Sequence, residues 1–209
     1  MTDEPGKHDF VVLSTKDVYK GRIIAIRVDD VAMPGGGQAK REVVEHHGAV
    51  AIVALDDDDQ VTLIHQYRHP LGRRIWELPA GLIDHLGEDP LESAKRELVE
   101  EVGLAAENWS VLVDVAASPG FTDEVVRIFL ATELSEVDRD LLGDEEADLV
   151  ARKFPLAEAV RMALAGEIVN GATVGGLLAA QTIRASGAET RPADAPWRDL
   201  PTRFPSREE

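Results

Sequence analysis

The sequence predicts an α+β protein in which helices cover both faces of a mixed β-sheet, preceded by an N-terminal antiparallel hairpin. Three observations predict this fold. The elements run in the order strands, one helix, strands, helices; residues 48–55 form a continuous apolar run of strand length; and residues 90–102 have an amphipathic helical pattern. A chain of 209 residues with 44% hydrophobic residues is long enough to bury one core of this kind.

The N-terminal hairpin is predicted from two short strand patterns on either side of a turn. Residues 23–28 are rich in β-branched side chains, residues 34–37 read Pro-Gly-Gly-Gly, and residues 41–45 supply the second strand. We therefore set a first segment at residues 1–47 and begin the main domain at residue 48.

Two strands and an acidic turn open the main domain, which we set at residues 48–186. Four aspartates follow the apolar run, at residues 56–59, and residues 61–67 are expected to return as its antiparallel partner. Neighbouring side chains on extended backbone point to opposite faces. We therefore interpret the aspartates as a solvated hairpin turn and not as a metal site.

The helix at residues 90–102 has a start and a stop signal. Its apolar residues recur at spacings of three and four, Pro90 suits the first turn, and Gly103 suits the position after the last turn. Strands are then expected at 111–115 and 125–131, an acidic loop at 138–148, and helices at 156–164 and 174–183. Residues 187–209 are polar and rich in proline, so we expect a loosely held tail there.

The composition excludes several classes of function. The formal net charge is −17, which counts against binding to nucleic acids or to anionic membranes. The absence of cysteine excludes a disulfide scaffold, a thiolate zinc site and a cysteine nucleophile. No apolar run reaches the roughly 18 residues that span a bilayer, and the N-terminus lacks a signal-peptide core. We therefore expect a soluble, cytoplasmic protein.

The predicted helix carries three glutamates on one side. Glu97, Glu100 and Glu101 stand at positions i, i+3 and i+4, and each pair of like charges at this spacing costs roughly 0.2–0.5 kcal/mol. A helix with such a side either faces water, with Arg96 paired to Glu100, or binds a cation.

The residues around these glutamates resemble the Nudix box. After Glu88 and seven further residues the chain reads Arg-Glu, an aliphatic residue, any residue, Glu-Glu, any residue, Gly and an aliphatic residue, at positions 96–104. The sequence departs from the family pattern at one place, because six residues instead of five separate Gly81 from Glu88.

The resemblance implies a loop–helix–loop that holds Mg²⁺ or Mn²⁺ and binds a nucleoside diphosphate linked to another group. By motif position, the implied metal ligands are Glu97, Glu101, the accessory Glu100 and the backbone carbonyl of Ala80, while Glu88 is peripheral. Oxygen ligands of this type suit hard divalent cations. A cation would also neutralise an acidic site that must accept an anionic substrate.

Features outside the box resemble the ADP-ribose pyrophosphatase subfamily. Pro119 lies 16 positions after Gly103, and residues 66–68 and 76–81 are similar to the segment that precedes the box in these enzymes. The resemblance implies a homodimer, formed through the N-terminal hairpin, that hydrolyses ADP-ribose to AMP and ribose 5-phosphate.

The same resemblance implies a set of substrate-binding residues. Ile23 or Ile24 would pack on the adenine, and an arginine suits contact with the base or the diphosphate. Each arginine could instead form only a surface ion pair. The implied set consists of Ile23, Ile24, Arg41, Arg68, Trp76, Glu77 and Pro119.

The implied reaction is attack of a water molecule on one phosphorus, with a carboxylate taking the proton of the water. In the subfamily this base lies on a loop well after the box. We choose Glu146 as the base and Glu145 as the second choice. Glu100 is a further alternative, because other Nudix enzymes use a glutamate of the box.

Three other interpretations stay open at this point. The chain could be a Nudix enzyme that prefers another nucleotide sugar, such as ADP-glucose or GDP-mannose. It could be a sensor that binds ADP-ribose without cleaving it, although the complete set of box glutamates opposes this. The acidic helix could also be purely structural.

Overall fold

The computed structural model describes residues 6–83, 87–138 and 149–207. The chain divides into two compact units. The first, which we call the three-stranded unit, comprises Met1–Gly48, Ala116–Glu124 and Leu200–Glu209. The second, which we call the sandwich unit, comprises Ala49–Val115 and Val125–Asp199.

The three-stranded unit contains an antiparallel sheet of strands β1 (Val12–Lys20), β2 (Ile24–Ala32) and β3 (Gln38–His46), in that order. The expected hairpin is confirmed as β2 and β3, joined through Gly35 and Gly36 at φ angles of 88° and 84°. Strand β1 was not predicted. All nine of its residues are exposed. Because neither face of the strand is buried, its sequence does not show the alternation of apolar and polar residues that predicts a half-buried strand.

The described residues of the C-terminal segment contact the rest of the chain at separate points, so the expectation of a loosely held tail is wrong for them. In the three-stranded unit, the Phe204 ring is fully buried and meets the His47 ring edge-on, with centroids 4.5 Å apart. In the sandwich unit, Arg127 of strand β9 (Val125–Glu136) donates to the carbonyl groups of Ala195 and Pro196. Apolar and charged anchors at separate points in the tail outweigh its polar, proline-rich composition.

In its described residues, the sandwich unit contains two sheets and three helices. Its other strands are β4 (Ala49–Ala54), β5 (Gln60–Arg68), β6 (Arg73–Glu77), β7 (Ala80–Leu82), β8 (Leu104–Ala116), β10 (Val150–Pro155) and β11 (Arg191–Pro192). The five-stranded sheet has the order β11-β8-β9-β4-β7, with β4 and β9 parallel, and the second sheet has the antiparallel order β10-β5-β6. The helices are α1 (Pro90–Val102), α2 (Leu156–Leu164) and α3 (Gly171–Ser186).

The acidic turn at residues 56–59 is confirmed, but the pairing expected on either side of it is wrong. Asp56 Oδ1 accepts hydrogen bonds from the backbone N–H groups of Asp58 and Gln60, and Asp59 has a φ angle of 56°. Leu55 and Val61 form an isolated antiparallel β-bridge, but β4 and β5 themselves belong to different sheets. The turn therefore moves the chain from one sheet to the other.

Helices cover both faces of the five-stranded sheet, as predicted. Ala51 and Val53 of β4 belong to the core cluster that contains residues of α2 and α3. The alternate residues of β4, Val50 and Ile52, point to the opposite face, and α1 packs against β4 and β7. None of the helices in the described part of the chain has the length and apolar character needed to cross a lipid bilayer.

Candidate active site

Helix α1 has the predicted bounds because its end signals are satisfied locally. The carboxylate of Asp89 accepts a hydrogen bond from the Leu91 N–H at 2.7 Å, and Pro90 occupies the first turn. Gly103, at a φ angle of 66°, ends the helix in the left-handed conformation. Ala94 and Leu98 are fully buried, which fixes the rotation of the helix and turns its glutamates towards β7.

Glu101 is buried against the backbone of β7. Its side chain is 6% exposed, and Oε2 accepts a hydrogen bond of 2.8 Å from the Ala80 N–H. Burial raises the pKa of Glu101 to about 8; the Ala80 hydrogen bond opposes this rise and the charge of Glu97 adds to it. A carboxylate in such a place is stabilised by a cation.

Glu97 lies over Gly81 at the centre of β7. A Cβ atom on residue 81 would overlap Cδ and Oε1 of Glu97. The contact requires a glycine at this position, although the loop to Glu88 is one residue longer than in the family pattern. The structure therefore brings Ala80, Glu97 and Glu101 together.

Arg96 joins the remaining acidic groups. Its Nη1 donates to Glu97 Oε1 at 2.7 Å and to Glu100 Oε2 at 3.1 Å, and Nε donates to Glu88 Oε1 at 3.4 Å. Burial lowers the pKa of Arg96, but the charges of Glu97, Glu88 and Glu100 outweigh burial, and the pKa is raised. The guanidinium therefore fixes the directions of these carboxylates.

The donor types at this place fit a hard divalent cation. In the described residues, no three acidic or histidine side chains surround one point in the manner of metal ligands. The carboxylate of Glu101 does lie beside the backbone of Ala80, and that of Glu97 lies over Gly81, so the groups able to bind a metal here are oxygens. Glu88 Oε2 is buried and has no hydrogen-bond partner among the described residues. A buried carboxylate oxygen of this kind suits a bound cation.

Arg68 and Glu77 form an ion pair on neighbouring strands. Arg68 Nε donates to Glu77 Oε2 at 2.7 Å, and the side chain of Arg68 is 41% exposed while that of Glu77 is 3% exposed. The charges of both residues act on the pKa of Glu101, so the pair lies close to the box glutamates.

The structure does not bring Trp76 together with Arg68 and Glu77. Its ring stacks on His65 with centroids 4.5 Å apart and meets Phe154 edge-on at 5.0 Å. Side chains alternate along β6, so Trp76 and Glu77 point to opposite faces, and Trp76 packs against the core on the side of α2.

The other implied substrate residues lie in the three-stranded unit. Ile24 begins β2 and is half-buried, while Ile23 immediately precedes the strand and is exposed. Arg41 is exposed on β3 and donates to the Lys40 carbonyl. Exposed Pro119 lies in the loop between β8 and β9.

Hydrogen bonds tie the Pro119 loop to the strand that carries Arg41. The Val44 N–H donates to the Phe121 carbonyl at 2.7 Å, and the His46 N–H donates to Asp123 Oδ1 at 2.9 Å. The loop and β3 therefore act as one piece. The two candidate bases, Glu145 and Glu146, lie outside the described residues.

Two residues near the site were missed by the sequence reasoning. Asn170 donates through Nδ2 to Glu77 Oε1 at 2.6 Å, and Thr173 Oγ1 accepts from the Leu78 N–H at 3.0 Å. A local signal existed, because asparagine is a preferred residue immediately before a helix. The helix was predicted to start at residue 174, so Asn170 was not recognised as the residue before the helix.

Comparison with known proteins agrees with this geometry. Residues 45–171 match the family model described as NUDIX domain, and residues 11–44 match the model of the nucleoside diphosphate sugar hydrolase N-terminal domain. The chain is 52% identical to the ADP-ribose pyrophosphatase of Mycobacterium tuberculosis over 96% of this chain and 97% of that one.

Two further similarities extend the comparison. The chain is 36% identical to the ADP-ribose pyrophosphatase of Bacillus subtilis, over 77% of this chain and 86% of that one. A crystal structure described as an ADP compounds hydrolase aligns with a TM-score of 0.76 at 25% identity, covering 88% of this chain and 99% of that one.

Proposed function

The chain belongs to the Nudix family, and from this membership we infer that it hydrolyses the diphosphate of ADP-ribose to AMP and ribose 5-phosphate. One observation carries the inference: Glu97 and Glu101 converge on residues 80 and 81 of β7, with Arg68 nearby. The identity of 52% to a protein named ADP-ribose pyrophosphatase, over nearly the whole chain, supports this substrate.

We propose that the site works with Mg²⁺ or Mn²⁺. Glu97, Glu101 and the Ala80 carbonyl would hold the ion, with Glu100 as an accessory ligand. The ion, when bound, lowers the pKa of the attacking water and offsets negative charge on the diphosphate. Arg96 holds Glu97 and Glu100 in fixed directions through the hydrogen bonds that its Nη1 donates to both carboxylates.

Arg68 is our candidate for the diphosphate-binding residue in the sandwich unit. Glu77 occupies its Nε, which leaves the Nη groups of an exposed guanidinium to donate to phosphate oxygens. Glu77 therefore contributes by orienting Arg68. Trp76, packed on His65, would contribute by holding the sheet beneath the site.

A carboxylate is needed to take the proton of the attacking water. Glu146 stays our first choice and Glu145 the second. Glu100, the third, already accepts a hydrogen bond of 3.1 Å from Arg96, so it is the less available acceptor.

We propose that the protein is a homodimer in which Ile23, Ile24, Arg41 and Pro119 help to bind the nucleoside part of the substrate. The apolar side chains of β1 support a partner surface, because Val12, Leu13, Val18 and Tyr19 are all exposed. The acidic surface favours a small-molecule substrate over nucleic acids or membranes. A cytoplasmic location stays a prediction.

A substrate panel tests the proposed function. Purified protein with Mg²⁺ is given ADP-ribose, ADP-glucose and GDP-mannose, and the nucleotide and sugar phosphate products are quantified. We expect the highest kcat/KM for ADP-ribose, with AMP and ribose 5-phosphate as products. A clear preference for GDP-mannose would overturn the substrate assignment, and binding of ADP-ribose without cleavage would identify a sensor.

A further inference from the structure

Hydrogen bonds join the end of β6, which precedes Gly81, to the start of α3. The Leu78 N–H donates to Thr173 Oγ1 at 3.0 Å, and Asn170 Nδ2 donates to Glu77 Oε1 at 2.6 Å. Thr173 and Glu77 are both buried. Two consecutive residues beside the site are therefore held by a helix that contributes nothing to the Nudix box.

In this network, each polar group of Asn170 and Thr173 has its role as donor or acceptor fixed by its partners. Asn170 Oδ1 accepts from the Thr173 N–H at 2.9 Å and from the Thr173 hydroxyl at 3.0 Å. The Thr173 hydroxyl uses its hydrogen in the bond to Asn170, so it is an acceptor for the Leu78 N–H. Because Oδ1 of Asn170 is occupied by Thr173, the group of Asn170 that faces Glu77 is its amide nitrogen. Aspartate could keep the bond at the helix start but could not donate to Glu77.

The second oxygen of Glu77 extends the network to Arg68. Oε1 of Glu77 is taken by Asn170, and Oε2 accepts from Arg68 Nε at 2.7 Å. A carboxylate held at both oxygens cannot rotate, so it presents one orientation to the guanidinium. Asn170 therefore acts through Glu77 on the direction of the Arg68 Nη groups, although it lies 93 positions from Glu77 in the sequence.

We propose that Asn170 is a positioning residue for substrate binding, which acts through Glu77 to orient Arg68 towards the diphosphate. Asn170 itself does not contact the substrate. This inference rests on the proposed function, because it assumes that Arg68 binds the diphosphate of a nucleotide sugar.

Asn170→Ser separates the two roles of Asn170, since serine can begin the helix but cannot reach Glu77 as a donor. We expect KM to rise about tenfold, as for loss of one hydrogen bond to a charged group, with kcat changed less than about threefold. Asn108→Ser, at an exposed position of β8, is the matched control and should leave both constants unchanged.

A double-mutant cycle distinguishes positioning from a general loss of structure. In an Arg68→Ala background, Asn170→Ser should raise KM no further, because its effect passes through Arg68. An additive effect in that background, or a wild-type KM in the single variant, would overturn the inference. If Asn170→Ser does not fold, Asn170→Thr replaces it with the same expectations, because threonine also keeps an oxygen for the helix start and lacks the amide donor.

The cycle uses whichever diphosphate the wild-type protein cleaves best. A wild-type preference for another nucleotide sugar would overturn the proposed substrate while the cycle still tests Asn170. A wild-type protein that cleaves none of them would overturn both.

Discussion

Glu97 of α1 lies so close over Gly81 of β7 that residue 81 has no room for a side chain. The contact joins the acidic side of a helix to the backbone of a strand that begins at Ala80. The spacing between the carboxylates and the Ala80 backbone therefore depends on the absence of one Cβ atom.

Gly81→Ala should impair catalysis more than stability. The added methyl group would displace the end of a flexible side chain, Glu97, and not the backbone. We expect kcat/KM for ADP-ribose to fall by about 10–100-fold, as when groups that orient metal ligands are lost, while Tm changes by only a few degrees. Gly37→Ala, at a glycine with open space around it, is the control. Equal activity of the two variants would contradict the prediction.

Glu97→Gln and Glu101→Gln should weaken metal binding. Each change replaces a carboxylate, which is the anionic ligand proposed for the ion, with a neutral amide. The amide oxygen that glutamine brings to position 101 would still accept from the Ala80 N–H. We expect the Mg²⁺ concentration for half-maximal activity to rise at least about tenfold, with circular dichroism showing an intact fold. An unchanged Mg²⁺ dependence in both variants would remove these residues from the proposed ligand set.

Glu146→Gln should slow the chemical step and leave metal binding intact. Loss of a general base reduces turnover by about 10²–10⁴-fold. The Mg²⁺ dependence of the remaining activity should match that of the wild type, which separates this variant from those at Glu97 and Glu101. Glu145→Gln is made in parallel. If Glu146→Gln turns over at the wild-type rate, the base is a different residue.

Glu45→Gln should destabilise the three-stranded unit, because Glu45 is fully buried and bonded to Arg27, Arg207 and Arg203. Removing one partner from a buried ion cluster costs about 3–5 kcal/mol of unfolding free energy, which urea denaturation would measure. Glu42→Gln, at an exposed position of the same strand, should change the stability by less than about 0.5 kcal/mol. Similar stabilities for the two variants would contradict the role of the cluster.

The lowered pKa of Glu45 predicts how the stability of the fold changes at acidic pH. Burial raises the pKa of Glu45, but hydrogen bonds from Arg207 and Arg27 outweigh burial, and the pKa is lowered from 4.5. The folded protein therefore binds this proton less readily than the unfolded chain. The stabilisation is present above pH 4.5 and is lost as the pH falls through the lowered value. Glu45→Gln should show a weaker loss of stability in this range.

Val18→Asp should separate the proposed homodimer. Val18 is 59% exposed on β1, and a buried, unpaired carboxylate at an interface is strongly unfavourable. We expect light scattering to show a monomer at concentrations where the wild type is dimeric, with an increase in the dimer Kd of about 100-fold or more. Val150→Asp, at a valine 57% exposed in the sandwich unit, should remain dimeric. A monomeric wild type would contradict the proposal directly.

The sequence alone was sufficient where structure depends on neighbours along the chain. Helix α1 has the predicted bounds because its cap, first-turn proline and terminal glycine act within one turn of the helix. The bounds of α2 were likewise predicted. The spacing of Glu97, Glu100 and Glu101 predicted that they share one side of α1, while their roles as metal ligands stay predictions.

Only the tertiary structure decided which strands pair and which polar groups meet. β4 pairs with β9 and β7 instead of β5, because pairing depends on how the sheets pack and not on proximity along the chain. Asn170 meets Glu77 across 93 residues, and Arg207 meets Glu45 across 162. Strand pairing and buried ion pairs join groups that no short sequence window contains, so local periodicity and capping cannot reveal them.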